Sequence, residues 1–163
     1  MYTLKNFEAK DSKGHSLLIN LKDDIENVLT IYDNYIKNKI TVKKIYKKVV
    51  PFYGFSDLVQ VWTNIIFNSI QALKGSGEIC ITIDTLENNE NFIIVTVEDN
   101  GPGIPEEIQS KIFEPFFTTK ASGEGSGLGL YLSKKIIQRH KGEISFQSSP
   151  GKTLFSIKLP IKI

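Results

Sequence analysis

Phe92-Ile93-Ile94-Val95-Thr96-Val97-Glu98-Asp99-Asn100-Gly101-Pro102-Gly103 is a β-strand pattern that runs without a break into a turn. Apolar and polar residues crowd the first seven positions, and an acid and two glycines follow at the strand's mouth. A strand end holds a carboxylate rigidly, and glycines remove the Cβ atoms that keep a flat ligand off the backbone. Asp, Asn, Gly and Pro are also the ordinary residues of a strand-ending turn. The choice between the two depends on the rest of the chain.

Outward from this strand the hydrophobic period changes several times. On its N-terminal side, Glu78 to Leu86 has strand character and the polar turn Glu87-Asn88-Asn89-Glu90 makes a hairpin of the two runs. Before that, Leu58, Val61, Trp62, Ile65, Ile66, Ser69, Ala72 and Leu73 form one broad helical face. Ser56-Asp57 is the expected N-cap pair and Lys74-Gly75-Ser76-Gly77 the stop. An earlier helix is expected from Asp23 to about Lys39, on Ile25, Val28, Leu29, Tyr32 and Ile36. Ile40 to Val50 reads as a strand whose Lys43, Lys44, Lys47 and Lys48 form a solvated face.

On the C-terminal side, a long glycine-punctuated segment leads to a third helix, Ser126 to His140, closed by Lys141-Gly142. Strands Glu143 to Gln147 and Thr153 to Leu159 flank the turn Ser148-Ser149-Pro150-Gly151. These elements assemble into an α/β (α+β) two-layer sandwich, with three helices on one face of a mixed, largely antiparallel sheet. A loop between residues 104 and 125 is left over, and it is expected to be mobile and functional. Residues 1–19 read as a linker and 20–163 as the domain.

Composition sets the outer limits. The chain has 163 residues, 40% hydrophobic and 23% charged, which fits one globular domain. Lys+Arg 20 against Asp+Glu 18 leaves a formal charge of +2, too small to argue for nucleic acid or an acidic membrane surface. No apolar run approaches the length that spans a bilayer, and the N-terminus lacks the apolar core of a signal peptide, so a cytoplasmic location is expected. The single cysteine, Cys80, can form no intrachain disulfide and reads as a buried small hydrophobe.

Three groups bear on the turn after Val97. Asn64 and Asn68 lie four residues apart on one helix, so their amides share a face. They are either satisfied caps on neighbouring backbone or oxygen ligands for magnesium, a hard cation completed by water and phosphate. Gly123-Glu124-Gly125-Ser126-Gly127-Leu128-Gly129-Leu130 runs into the third helix, where converging N–H groups and the helix dipole can seat phosphates. The same run can serve as a hinge, and it lacks the ending of a P-loop and the early position of a Rossmann fingerprint. The third group is Asp99 itself, which would accept from the exocyclic amino group if an adenine lay in the cleft.

Metal, base and phosphate groups in this order resemble the ATP-binding catalytic domain of sensor histidine kinases, within the superfamily shared with Hsp90-type, gyrase-type and MutL-type ATPases. The resemblance runs from about Asn20 to Pro160 and rests on four motifs. Asp57 to Ala72 is similar to the N box, Glu98-Asp99-Asn100-Gly101-Pro102-Gly103-Ile104 to the G1 box, Ile112-Phe113-Glu114-Pro115-Phe116-Phe117-Thr118-Thr119-Lys120 to the F box, and Gly125-Ser126-Gly127-Leu128-Gly129-Leu130 to the G2 box. It implies a Bergerat-type fold that binds ATP and Mg2+. Asn68 would be the main magnesium ligand with Asn64 beside it, and Asp99 would read adenine beside Gly101, Gly103 and Ile104. Gly125, Ser126, Gly127, Leu128, Gly129 and Leu130 would wrap the phosphates. Phe113, Phe116 and Phe117 would anchor a lid over Ile104 to Glu124 that carries Thr118 and Lys120.

Hydrolytic relatives place a glutamate where this chain has Asn64, and an amide cannot take a proton at neutral pH. Asn64 is thus the one candidate catalytic position, and the γ-phosphate is expected to pass to a histidine on another domain. Neither His15, read as a linker residue, nor His140, read as a cation at a helix C-terminus, has the context of that acceptor. The expected partners are a dimerisation and phosphoacceptor helical domain, upstream or in trans, and a response regulator, with no nucleic acid and no membrane contact. A non-catalytic nucleotide-sensing module and an anti-sigma-factor-type serine kinase are the alternatives.

Overall fold

The computed structural model describes residues 16–86 and 92–161. The expected linker residues up to His15 and the hairpin turn at 87–90 lie outside them. Five strands form the main sheet: β2 (Ile40–Tyr46), β4 (Gly77–Leu86), β5 (Phe92–Asp99), β6 (Glu143–Ser149) and β7 (Lys152–Pro160), in the order β2-β4-β5-β7-β6. A separate ribbon pairs β1 (Leu17–Ile19) with β3 (Phe52–Gly54). The helices are α1 (Leu21–Ile31), α2 (Asp33–Ile36), α3 (Leu58–Ala72), α4 (Glu106–Gln109) and α5 (Gly129–Arg139).

All pairs in the main sheet are antiparallel except β2 with β4. Parallel neighbours need a crossover, and α3 supplies it on the way from β2 to β4. Period-two alternation then sorts the side chains. Ile79, Ile81 and Ile83 of β4, Ile93, Val95 and Val97 of β5, and Phe155, Ile157 and Leu159 of β7 are all buried beneath the helices. Leu58, Val61, Trp62, Ile65 and Ile66 of α3 meet them, each fully buried, and α3 is itself flanked by α1 and α5. Because Asp99 continues the inward phase of β5, it too faces the helices, at the end where the core stops.

Several local expectations give way to longer-range contacts. Leu17–Ile19 is a strand, not linker: Ile19 is buried in the core, while the opposed pair Leu18 and Tyr53 stays exposed. The first helix begins earlier, with the Asn20 side chain accepting from Lys22 N–H at 3.2 Å, and it breaks at Tyr32. There the Tyr32 ring stacks on Phe67 of α3 with centroids 4.8 Å apart, a contact worth about 0.5–1.5 kcal/mol beyond its buried area. The strand after it stops at Tyr46 rather than Val50. Asp57 does not cap α3 with its side chain; its Oδ2 lies 3.1 Å from Arg139 of α5.

Cys80 is only half-buried, since it falls on the sheet face that no helix covers. Lys43, Lys44, Lys47 and Lys48 are exposed as expected; Lys43 pairs with Glu78, Lys44 with Glu26 and Lys47 with Asp84. His140 is structural, but not as a cation. Its ring is 0% exposed, with Nδ1 2.8 Å from the Ile136 carbonyl and Nε2 accepting from Phe55 N–H at 2.9 Å. That pair of partners assigns the proton to Nδ1 of a neutral imidazole, which clips the β3–α3 connection to the end of α5.

Candidate functional site

Three elements converge where β5 ends. Asp99 is 3% exposed; its Oδ1 accepts Gly101 N–H at 3.0 Å and its carboxylate also bonds the buried Ser69 of α3. Burial pushes the pKa of this acid up, against the pull of the Ser69 hydroxyl and the Gly101 N–H. A carboxylate has about four acceptor positions, so acceptor capacity remains for a ligand donor. Asn100 fastens the turn to β4, its Oδ1 accepting Glu78 N–H at 2.8 Å.

The glycines of this turn are required by the protein's own packing. A Cβ on Gly103, whose φ is +85°, would stand 2.3 Å from the Ser149 carbonyl oxygen. One on Gly101 would meet Asp99 Oδ1 at 2.8 Å and the Ala72 methyl at 3.3 Å. Glycine here brings the turn against the β6–β7 hairpin on one side and α3 on the other. Ile104 follows, its N–H donating to Ser148 Oγ at 2.8 Å and its side chain packed on the core.

On α3, Asn64 points at the start of α5. Its Nδ2 donates to the Gly129 carbonyl at 3.0 Å and to Ser133 Oγ at 3.2 Å, and Oδ1 takes no hydrogen bond from the described residues. Asn68, one turn later, is half-buried and makes no side-chain hydrogen bond to another described residue. No side chain caps the first turn of α5, although Ser126 Oγ accepts Leu128 N–H at 3.3 Å. Its leading N–H groups point away from the helix body, in the arrangement that receives anions.

The expected lid divides into a fixed and an exposed half. Gln109 Nε2 donates to the Ile104 carbonyl at 2.8 Å, Ile112 is buried, and Phe113 meets Phe146 of β6 edge-on, with centroids 5.9 Å apart. Phe117 also packs on the core, but Phe116 is 61% exposed and anchors nothing with its ring. The Phe116 backbone, at φ +65°, serves instead: a Cβ on Gly127 would lie 2.4 Å from its carbonyl carbon. Thr118, Lys120 and Gly125 gather in the exposed half, where Thr118 Oγ1 accepts Lys120 N–H at 3.1 Å.

The expected site residues lie on α3, the β5 turn, the lid and the start of α5, and two contacts tie these elements together, Asp99 to Ser69 and Asn64 to Gly129; the space that they border is the candidate groove. Sequence reasoning missed Ser69, Ser133, Asn100 and Ser148, the groups that hold Asp99, Asn64 and the turn in place. Ser69 and Ser133 interrupt otherwise apolar buried helix faces, which is the signal that could have found them.

The sequence pattern described as "Histidine kinase-, DNA gyrase B-, and HSP90-like ATPase" matches residues 55–163, a span that includes α3, α5 and every strand of the main sheet but β2. The chain belongs to this ATPase family. Within the family the similarity runs to histidine kinases. The signal transduction histidine-protein kinase AtoS of Escherichia coli is 47% identical over 105 residues, covering 64% of this chain and 17% of AtoS. The sensory histidine kinase/phosphatase NtrB of Azospirillum brasilense is 31% identical over 157 residues, 88% of this chain and 39% of NtrB.

The chain therefore spans less than half the length of these curated relatives. Among solved structures, the nucleotide-free catalytic domain of histidine kinase ThkA superposes with a TM-score of 0.80 at 30% identity, covering 91% of this chain and 97% of that one. The expected two-layer sandwich is the fold of this histidine kinase catalytic domain. Among the described residues, no helix is long and apolar enough to cross a membrane, and no cluster of three His, Cys, Asp or Glu side chains is placed to hold a metal.

Proposed function

We propose that this ATPase-family domain binds MgATP in the groove and donates the γ-phosphate to a histidine on a separate dimerisation and phosphoacceptor helical domain. A response regulator then receives the phosphate. The observation that carries this reading is the use made of Asn64. Its amide nitrogen is directed at α5, and an amide oxygen is no base at neutral pH, so position 64, one turn before Asn68, offers no group to activate water. Phosphoryl transfer then rests on positioning and charge neutralisation, with an acceptor brought from outside.

In this reading Asp99 accepts the exocyclic amine of adenine beside Gly101, Gly103 and Ile104. Residues Gly125 to Leu130 receive the phosphates, while Phe113, Thr118 and Lys120 belong to the lid. The Asn68 amide and Asn64 Oδ1, which make no hydrogen bond among the described residues, suit a hard cation that keeps water and phosphate ligands. Such an ion, when bound, neutralises the β- and γ-phosphate oxygens. His140, wholly buried and bonded on both nitrogens, is unavailable as acceptor. The formal charge of +2 is too small to favour nucleic-acid or acidic-membrane contacts, and the reading keeps the domain in the cytoplasm.

The test has two arms. Calorimetric titration with ATP and GTP, with and without magnesium, should give magnesium-dependent binding that prefers adenine. Mixing the domain, ATP and a histidine-bearing helical hairpin from a related kinase should yield acid-labile phosphohistidine on the hairpin. Without the hairpin, turnover should be slight. No adenine-nucleotide binding, or steady hydrolysis unaffected by the hairpin, would refute the proposal.

A further inference from the structure

Lys120 is an ammonium without a counter-ion. Its Nζ donates to Gln71 Oε1 and lies 6.0 Å from the centroid of the Phe67 ring, and among the described residues no carboxylate pairs with it. Lys120 is exposed as a whole, and the partial burial of its ammonium pushes its pKa down. The lid is shaped to deliver it. A Cβ on Gly125 would stand 2.8 Å from Lys120 Cδ, so that glycine lets the lysine stem cross the loop toward α3.

Gln71 follows Asn68 by three residues and Asn64 by seven, so the three amides form one stripe along α3. The stripe runs under the lid, from the start of α5 to the Lys120 ammonium. A lysine has three donor hydrogens, of which the Gln71 carbonyl takes one. Two remain for an anion arriving beside Asn68, and that anion would supply the missing charge.

We propose that Gln71 is a positioning residue that docks Lys120 over the α3 stripe, so that the lid's cation meets the terminal phosphate and the groove discriminates nucleoside triphosphate from diphosphate. The assignment rests on the nucleotide reading of the groove. Gln71 acts through Lys120 and touches no reacting atom. With the ammonium already held, the lid needs less ordering when the triphosphate binds, which is the ordinary benefit of preorganisation.

The experiment is calorimetric titration of ATP and ADP, each with magnesium, into the parent domain, Gln71→Leu, Lys120→Met and the double variant. Thermal melting of each checks its fold. The parent should prefer ATP to ADP. Lys120→Met should lower that preference about 10-fold or more, the order of one hydrogen bond to a charged group, and leave ADP affinity unchanged. Gln71→Leu should lower it in the same direction, the double variant should be no worse than Lys120→Met alone, and Lys120→Arg should restore the preference.

An ATP-to-ADP ratio unchanged in Gln71→Leu, or losses that add in the double variant, would overturn the coupling while leaving the site intact. A parent that binds neither nucleotide would overturn the nucleotide reading itself, and this inference with it.

Discussion

Asp99→Asn separates what the carboxylate does for the ligand from what it does for the fold. In the free domain the side chain is 3% exposed, and burial raises its pKa above the ordinary 3.8. The folded state therefore keeps its proton at pH values where the unfolded chain has lost it. Stability falls as pH rises through the window from 3.8 to the raised value, and above that window the ionised carboxylate weighs against folding. Asparagine has the same shape and no charge, and its carbonyl oxygen can accept from Gly101 N–H and Ser69. At pH 7 the variant should melt at or above the parent's temperature, and the fall in stability across the window should shrink to what other acids such as Asp24, whose pKa burial also raises, still contribute.

Binding should go the other way. The amide presents a donor to the amino group of adenine, which is a donor too, and a hydrogen bond to a charged acceptor is lost. Such a bond is worth about 1.5–3 kcal/mol, or roughly 10- to 150-fold in Kd. The assay pairs calorimetric titration of ATP at pH 7 with thermal unfolding from about pH 4 to about pH 8. Unchanged ATP affinity would refute the reasoning. So would a melting temperature several degrees lower, because Asp99 would then be a support of the fold rather than a strained recognition group.

Gly127→Ala would place a methyl 2.4 Å from the Phe116 carbonyl carbon at a φ of +68°. The left-handed backbone alone costs about 1–2 kcal/mol, and the clash displaces the lid, so ATP affinity should fall together with the melting temperature. Gly151→Ala, at φ +86° with nothing within 4 Å, is the control: it should lower the melting temperature and leave ATP titration unchanged. His140→Ala removes the acceptor of Phe55 N–H and should cost about 1–3 kcal/mol in chemical denaturation, before any cavity is counted. Phosphotransfer measured at a temperature where that variant stays folded should be as in the parent.

What could be read from the sequence was whatever repeats locally. The alternation Ile93, Val95, Val97 and Asp99 and the broad apolar face of α3 each span enough positions to show their period, and both elements formed as expected. Three-residue strands carry no measurable period, so Leu17–Ile19 became visible only through its pairing with Phe52–Gly54. The helix break at Tyr32 follows from a ring on α3, and Asp57 leaves its capping position for an arginine near the end of α5. Neither partner is a sequence neighbour. At the site, the need for glycine at 101 and 103 was legible, while its immediate reason, the Ser149 carbonyl and the Ala72 methyl, was not.

The contact of Gly103 with Ser149 divides the groove by mechanical character. The acid end is built from the sheet and the tip of the β6–β7 hairpin, joined backbone to backbone, whereas the other end closes through a loop whose Gly123 has nothing within 4 Å of a would-be Cβ. Under the proposed function, the base finds its place before the loop has moved. Once the terminal phosphate has gone, the loop loses its tether while the base keeps its own. The pace at which spent nucleotide is exchanged is then governed by the loop, and substitutions there should retune turnover without changing which base is chosen.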